Sequence, residues 1–279
     1  MQDKLRDPIR FSNKDRIKRV AAAQATLYDL IVVGGGVTGA GIALDARLRG
    51  LKVLLLEKDD FASGTSSKST KLIHGGLRYL KQLEFGLVRE TGLERSIVHE
   101  NACHLVHPET MMLPIVDGGS FSRWSASLAI SVYDWLAKVP EKDRKNLLSR
   151  EDALGMEPLL NADILKSAIA YSEYRTDDAR LTLELIKAAR REGAEAFNYM
   201  EVKGLGQGRS KGPKTVKVYD ALTGESREMK SKVIVNATGP WADKVRRLDD
   251  DNSESNLRVQ GCASGDISGQ ASHSPFHLF

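Results

Sequence analysis

The clearest pattern of apolar and polar positions lies in residues 28–57. Leu30–Val33 is a short apolar run rich in β-branched residues, which is typical of a buried parallel strand. Val37–Arg49 is predicted to be a helix that ends at Gly50, and Lys52–Leu56 is predicted to be a second strand. The pattern therefore predicts a βαβ unit with a glycine turn between its first strand and its helix.

The glycine turn has the spacing of a dinucleotide-binding loop. Gly34, Gly36 and Gly39 form the pattern G-x-G-x-x-G, and Glu57 ends the second strand about 20 positions after Gly36, where an acid binds a ribose hydroxyl. Gly34 suits the tight turn, Gly36 lets a pyrophosphate approach, and Gly39 lets the helix pack on the strand. An acid at position 57 favours FAD or NAD over NADP. The alternative is a glycine turn in some other βαβ unit.

Further along the chain, the pattern predicts more helices and strands. A hairpin is expected around the turn Leu222–Gly224. Ser149 is expected to be the N-cap of a helix within the charged connector Glu141–Asn161. The other predicted helices are Leu83–Val106, Trp124–Ala137 and Leu181–Glu192; the predicted strands are Met111–Val116, Ala196–Lys203, Thr215–Tyr219, Glu228–Lys230 and Lys232–Trp241.

Composition narrows the class of protein. The chain has 279 residues, of which 41% are hydrophobic and 28% charged, as in ordinary globular proteins. The net charge of +4 favours anionic ligands without indicating nucleic acid. Two distant cysteines, Cys103 and Cys262, predict neither a disulfide framework nor a metal site. No apolar run is long enough for a transmembrane helix, and no signal peptide is expected.

A polar loop and a compact His-Gly-Gly segment follow Glu57. Phe61–Thr70 is dense in Gly, Ser and Thr, whose hydroxyl and N–H groups can bind a diphosphate. His74 is followed by two glycines that permit close approach to a flat ring, and Arg78 offers a planar fork for phosphate or carboxylate. His74 can exchange a proton with a reacting hydroxyl. The alternative is a polar loop in which the histidine is structural.

The run GTSSKSTKLIHGGLRYLKQ, residues 64–82, resembles the signature of FAD-dependent glycerol-3-phosphate dehydrogenases and of the related bacterial α-glycerophosphate oxidases. In that family this segment lines the flavin, and an arginine that matches Arg78 contacts the substrate. The resemblance further implies that the backbone at Val202 lies near the adenine, and that Thr238 and Gly239 return to the FAD phosphates. The implied flavin-lining residues are Thr65, Ser66, Ser67, Lys71, His74 and Gly75.

The resemblance implies an α/β fold: a glutathione-reductase-type FAD-binding Rossmann domain with an inserted, incomplete mixed-sheet substrate domain. The implied activity is oxidation of sn-glycerol 3-phosphate to dihydroxyacetone phosphate, with electrons passed to quinone or oxygen. Arg78 would hold the substrate, and His74 is the candidate catalytic residue. The location implied is cytoplasmic, with peripheral contact to the cytoplasmic membrane as an option. The alternatives are a non-catalytic FAD-binding fragment and, less favoured, an NAD-dependent dehydrogenase.

The resemblance covers residues 28–248, and the chain is expected to be truncated relative to full family members. Residues 249–279 are expected to match nothing in the family. We hypothesise that this tail results from a frameshift, because its coding DNA, read one base later, can encode the run S-K-G-V-H-L-V that the family carries next. The alternative is a genuinely divergent tail. Residues 1–27 form either an outer helix or a solvated extension. The expected divisions after residue 27 are 28–110 and 171–248 for the FAD domain, 111–170 for the substrate side, and 249–279 for the tail.

Overall fold

The computed structural model describes residues 11–73, 84–118, 127, 130–132, 146–206 and 212–249. Contacts divide the described chain into two units. The first contains residues 11–69 and 178–249, and the second contains the described residues between 70 and 177. This division differs from the one expected from the sequence, because residues 110 and 170 lie inside the strands Val106–Val116 and Leu165–Thr176.

The first unit is built on a six-stranded sheet. Its strands, in chain order, are β1 (Leu27–Val33), β2 (Val53–Leu56), β7 (Glu195–Phe197), β8 (Met200–Gly206), β9 (Lys214–Asp220) and β10 (Glu225–Asn236). The spatial order is β7-β2-β1-β10-β9-β8. The pairings among β7, β2, β1 and β10 are parallel, whereas β9 pairs antiparallel with both β10 and β8. The helices are α1 (Arg16–Gln24), α2 (Val37–Leu48), α5 (Asp178–Arg191) and α6 (Ala242–Arg246).

The side chains of β1 alternate between two hydrophobic cores, as strand geometry requires. Leu30 and Val32 pack with small residues of α2 and with Ile186 of α5. Ile31 and Val33 pack with residues of β8, β9 and α1. Burial on both faces explains why β1 is a continuous apolar run rather than an alternating one. The predicted βαβ unit is confirmed, and Gly50 follows α2 with a positive φ of 85°.

Three of the strands predicted in the first unit differ from those observed. Ala196–Lys203 is not one strand, because Tyr199 has a φ of +53° and separates β7 from β8. Glu228–Lys230 and Lys232–Trp241 are not two strands, because β10 runs unbroken to Asn236. In the second half of β10, Val233 is 51% exposed.

Helix α1 packs against the sheet, so the outer-helix alternative for this part of the N-terminal extension is the one observed. Val20 and Ala23 are buried in the core that contains Tyr28 and Phe197. Arg19 donates from Nε and Nη2 to Glu195, at 3.0 and 2.9 Å, and its guanidinium lies 5.0 Å from the centre of the Phe197 ring. These contacts attach residues that precede the βαβ unit to strand β7.

The second unit contains strands of very different lengths. Its described strands are β3 (Leu72–Ile73), β4 (Val106–Val116), β5 (Asn146–Leu148) and β6 (Leu165–Thr176), and its helices are α3 (Phe85–Asn101) and α4 (Arg150–Met156). β6 pairs antiparallel with the other three strands. Two buried clusters lie along β6, one around Ile169 and Tyr171 and the other around Ala168 and Ala170.

Helix α3 is shorter than the predicted helix Leu83–Val106. It ends at Asn101 because Val106 is already paired with Thr176 as the first residue of β4. Ser149 is the N-cap of α4, as predicted: its hydroxyl accepts a hydrogen bond from the Asp152 amide at 3.0 Å. Of the predicted helix Trp124–Ala137, the described residues 127 and 130–132 are helical, and the others lie outside the described residues.

A buried ion pair joins α3 to β6. Arg95 Nη1 donates to Glu173 at 2.8 Å, and both side chains are almost fully buried. The Arg95 guanidinium also lies 4.8 Å from the centre of the Tyr174 ring. A search for membrane-crossing helices among the described residues finds none of sufficient length and apolarity.

Candidate functional site

The turn between β1 and α2 depends on two glycines for steric reasons. Gly34 has a φ of +112°, and a Cβ there would lie 2.5 Å from the Ala237 carbonyl oxygen. A Cβ on Gly39 would lie only 1.9 Å from the Gly34 carbonyl oxygen. Side chains are therefore excluded at both positions, and α2 begins directly against the ends of β1 and β10.

The N-terminus of α2 faces a serine from the next loop. The backbone N–H of Val37 donates to Ser66 Oγ at 2.9 Å, and a Cβ on Gly36 would lie 3.0 Å from the same oxygen. Ser66 belongs to the 3₁₀ turn Thr65–Ser67. A helix N-terminus with a nearby hydroxyl and no side chain at Gly36 is suited to a phosphate group.

Glu57 is fixed at the C-terminal end of β2 by backbone groups. Its Oε2 accepts a hydrogen bond from the Gly35 amide at 2.6 Å, and its Oε1 accepts one from the Asp59 amide at 2.9 Å. Each carboxylate oxygen keeps a second acceptor position, so the pair can still receive hydrogen bonds from vicinal hydroxyls. This is the arrangement expected of a ribose-binding acid.

The end of β10 returns to the same place. Asn236 Oδ1 accepts hydrogen bonds from the Thr238 amide at 3.2 Å and from the Thr238 hydroxyl at 2.6 Å. Gly239 has a φ of +54° and begins the 3₁₀ turn Gly239–Trp241. The Trp241 ring lies against Gly64, where a Cβ would be 3.1 Å away, and Lys58 Nζ lies 4.9 Å from the ring centre.

These segments enclose a cavity of about 890 Å³ within the first unit. Its volume falls in the range of cofactor pockets, roughly 300–1,000 Å³. It has a polar part at the α2 N-terminus and an apolar part between β8 and α6. The lining residues are Val33, Gly34, Gly36, Val37, Thr38, Leu56, Glu57, Lys58, Asp59, Ala62, Ser63, Gly64, Thr65, Ser66, Lys68, Met200, Glu201, Val202, Lys203, Ala237, Thr238, Gly239, Pro240, Trp241, Lys244, Val245 and Leu248.

The structure brings together eight of the residues predicted for cofactor binding: Gly34, Gly36, Glu57, Thr65, Ser66, Val202, Thr238 and Gly239 all line this cavity. Gly39 does not line it but packs beneath the turn. Ser67 also does not line it, and its hydroxyl donates to the Gly64 carbonyl at 3.2 Å. Lys71 belongs to the second unit. His74, Gly75 and Arg78 lie outside the described residues.

Several lining residues were missed by the sequence analysis. Lys58 and Trp241 directly follow recognised motifs, so their position beside Glu57 and after Thr238-Gly239 was an available signal. Met200, Lys244 and Val245 had no such signal, because only the fold brings β8 and α6 to the same cavity.

The charges of the cavity suit an anionic ligand that also carries hydroxyl groups. Four lysines line it, Lys58, Lys68, Lys203 and Lys244, against three acids, Glu57, Asp59 and Glu201. Lys203 pairs with Glu201 at 2.7 Å, and Lys58 lies 3.5 Å from Asp59. Lys68 and Lys244 form no ion pair with another described residue, so both can attract a diphosphate.

The four parallel strands β7, β2, β1 and β10, the glycine turn and this cavity define a dinucleotide-binding α/β protein. The model of the FAD dependent oxidoreductase family matches residues 29–267, and the chain belongs to that family. This match continues past residue 248, so the expectation that nothing after that residue matches the family is wrong for residues 249–267. FAD is the cofactor for which the family is named. A phosphate-binding helix end, a ribose-binding acid and an apolar slot are the groups that the adenosine diphosphate half of FAD requires, so the described residues fit it.

Two curated relatives with the same name are similar to this chain over most of its length. The chain is 49% identical over 246 residues to an aerobic glycerol-3-phosphate dehydrogenase of Staphylococcus epidermidis, covering 88% of this chain and 44% of that protein. It is 51% identical over 232 residues to the Staphylococcus aureus protein of the same name, covering 83% and 42%. The chain thus spans less than half the length of these curated relatives.

Solved structures agree with the fold. A glycerol-3-phosphate dehydrogenase from Bacillus halodurans, complexed with FAD, matches with a TM-score of 0.68 and 41% identity, covering 86% of this chain and 40% of that one. An L-α-glycerophosphate oxidase from Mycoplasma pneumoniae matches with a TM-score of 0.60 at 22% identity, covering 80% of this chain and 57% of that one, and supports the fold alone. The expected fold class, a glutathione-reductase-type FAD-binding domain, is confirmed.

Proposed function

We propose that the cavity of the first unit binds FAD and that the chain is part of an FAD-dependent glycerol-3-phosphate dehydrogenase. The observation that carries the proposal is the convergence of the α2 N-terminus, Glu57 and the end of β10 on one cavity. The identity of 49% to a named dehydrogenase supports the choice of reaction. Gly36, Val37 and Ser66 would hold the diphosphate, Glu57 the ribose, and Val202 the adenine.

The proposed reaction is the oxidation of sn-glycerol 3-phosphate to dihydroxyacetone phosphate, a step of glycerol metabolism. Bound FAD would supply the hydride acceptor. The phosphate of the substrate would pair with Arg78, and His74 would polarise or deprotonate the reacting hydroxyl; both roles stay predictions. Quinone or oxygen would receive the electrons, and quinone reduction would bring peripheral contact with the cytoplasmic membrane.

A second candidate follows from the length comparison. The chain covers 44% of the Staphylococcus epidermidis relative, so the residues that it shares include the FAD cavity but not that protein's remaining length. A non-catalytic FAD-binding fragment would have the cavity described above and no turnover. The two candidates agree on the cofactor and differ only in the reaction.

An absorbance spectrum of the purified protein, recorded before and after anaerobic addition of glycerol 3-phosphate, separates these candidates. A visible flavin band that bleaches with the substrate supports the dehydrogenase. A flavin band that persists supports the fragment. A protein that stays colourless after incubation with FAD contradicts both, because both require the cavity to hold the cofactor.

Gly36→Ala tests the assignment of the diphosphate. The backbone at Gly36 is extended with a φ of −79°, which any residue adopts, so an added methyl group changes the cavity rather than the turn. That methyl would lie 3.0 Å from Ser66 Oγ, where we place the diphosphate. We expect FAD affinity to fall at least about tenfold, or 1.4 kcal/mol. An unchanged affinity, measured by equilibrium titration, would contradict the assignment.

A further inference from the structure

Two chain segments are joined at the ribose end of the cavity. The Glu57 amide donates to the Phe197 carbonyl at 2.9 Å, and the Glu57 carbonyl accepts from the Met200 amide at 2.7 Å. The Tyr199 amide donates to the Asp59 carbonyl at 2.9 Å, and Asn198 Nδ2 donates to Asp60 Oδ1 at 2.8 Å. We call residues 57–60 and 197–200 the ribose corner. The position of the Glu57 backbone therefore depends on the break between β7 and β8.

The ribose corner is held from the opposite side by Arg16 of α1. Arg16 Nη2 donates to the Asn198 carbonyl at 2.8 Å and to Asp220 Oδ1 at 3.1 Å. Its guanidinium lies 5.5 Å from the centre of the Phe197 ring, and the side chain is 7% exposed. One arginine thus connects the break between β7 and β8 to the end of β9, although it does not line the cavity.

This ion pair is poorly explained by stability alone. Removing an arginine and a carboxylate from water costs several kcal/mol per ion, and apolar residues of similar size often stabilise a core as well. Arg16 Nε is buried without a hydrogen-bond partner among the described residues, which adds to that cost. What an apolar side chain could not do is donate hydrogen bonds to Asn198 and Asp220 at the same time, which fixes the backbone of the corner.

We propose that Arg16 is a positioning residue for the adenosine half of the cofactor, and that it acts through the Asn198 backbone on Glu57. The inference rests on the proposed function, since it assumes that Glu57 binds a ribose. It gives residues ahead of the βαβ unit a role in ligand affinity. ADP, which carries the adenine, ribose and diphosphate, is the probe that reports on this half of the site.

The test compares the ADP affinities of the unaltered chain and the variant Arg16→Met. Methionine fills similar space but donates no hydrogen bond, so the corner loses its fixed geometry. We expect the dissociation constant for ADP to rise about tenfold, which is a typical coupling between linked sites. Arg190→Met is the matched control, because Arg190 is equally buried in the same unit and pairs with Glu195 at 2.7 Å, with no hydrogen bond or ion pair to the ribose corner among the described residues. Arg190→Met should lower the melting temperature and leave ADP affinity unchanged.

Hydrogen exchange supplies a readout that a merely structural role would not change. Because coupling is reciprocal, ADP should slow exchange of the α1 amides in the unaltered chain and not in Arg16→Met. If Arg16→Met does not fold, Arg16→Lys decides, since lysine keeps the positive charge but lacks the planar fork that donates to Asn198 and Asp220 at the same time, and it should also weaken ADP binding.

The outcomes that overturn the inference differ from those that overturn the proposed function. Equal ADP affinities in the unaltered chain, Arg16→Met and Arg16→Lys overturn the inference alone. Equal losses in Arg16→Met and Arg190→Met also overturn it, because they indicate a general loss of stability. No ADP binding by the unaltered chain overturns both.

Discussion

Gly39 and Gly41 lie two residues apart in α2, but their surroundings differ. A Cβ on Gly39 would overlap the Gly34 carbonyl oxygen, whereas a Cβ on Gly41 would meet nothing within 4 Å. We expect Gly39→Ala to lower the free energy of unfolding by about 3 kcal/mol through overpacking. Gly41→Ala, the matched control, should raise it by about 0.5–1 kcal/mol because alanine favours helix. Urea unfolding measures both, and equal effects would contradict the close approach at Gly39.

The buried side chain of Tyr28 should make the stability of the fold depend on pH in the alkaline range. Burial raises the pKa of the Tyr28 hydroxyl to about 12, and the nearby Glu195 carboxylate adds to the effect. Between pH 10.0 and about 12, tyrosine 28 loses its proton in the unfolded chain but keeps it in the folded one. Its contribution to stability is therefore complete below pH 10 and is lost as the pH rises through this range.

Tyr28→Phe should weaken this alkaline dependence. Phenylalanine keeps the packing against Phe197 but has no proton to lose. Urea unfolding at several pH values between 10 and 12 would show a smaller loss of stability per pH unit in Tyr28→Phe than in the unaltered chain. Identical slopes would show that Tyr28 titrates alike in both states.

At the residue scale, the sequence predicted the glycines and Glu57 because each has one steric or chemical reason for its place. Gly34 and Gly36 line the cavity with Glu57, as the spacing indicated. Trp241 could not be assigned a partner from the sequence, because its contact with Gly64 joins segments far apart in the chain. Arg16 was not predicted for the same reason, since Asn198 and Asp220 become its partners only after folding.

The N-cap of helix α4, Ser149, was predicted from the sequence alone. The Ser149 hydroxyl accepts a hydrogen bond from the Asp152 amide, which is one of the N–H groups that lack a partner within the helix at its start. Ser149→Ala should lower the free energy of unfolding by about 1 kcal/mol. Ser149→Asn keeps a capping oxygen and should lose little. Thermal unfolding of the two variants measures both effects. Equal losses of stability in Ser149→Ala and Ser149→Asn would show that the capping oxygen contributes nothing.

Element boundaries were less predictable than element types. Helix α3 ends five residues earlier than its apolar spacing indicated because β4 begins at Val106, and pairing with β6 determines that start. The break at Asn198 and Tyr199 also depends on distant contacts, namely the bonds to residues 59 and 60. Local periodicity contains no information about such partners.

Strand β10 was predicted as two strands but is continuous in the structure. Its first half pairs with β9 and its second half with β1, so two different neighbours lie along one strand. The sequence analysis predicted two strands here, Glu228–Lys230 and Lys232–Trp241. Val233 is exposed in the second half, where β1 is the only strand neighbour of β10 among the described residues.

At the scale of the whole molecule, the described residues contain a cavity with the groups that the adenosine diphosphate half of FAD requires. Its lining residues in the described part of the chain all belong to the first unit. Of the residues that the resemblance assigns to flavin and substrate, His74, Gly75 and Arg78 lie outside the described residues. The account therefore predicts cofactor binding more directly than turnover.

The most direct test is an equilibrium titration of the flavin-free chain with FAD, followed by competition with ADP. We predict saturable binding of one FAD per chain and its displacement by ADP, because both ligands share the half that this cavity fits. Absence of saturable binding would contradict the account. So would FAD binding that ADP does not displace, since the flavin would then be held at another place.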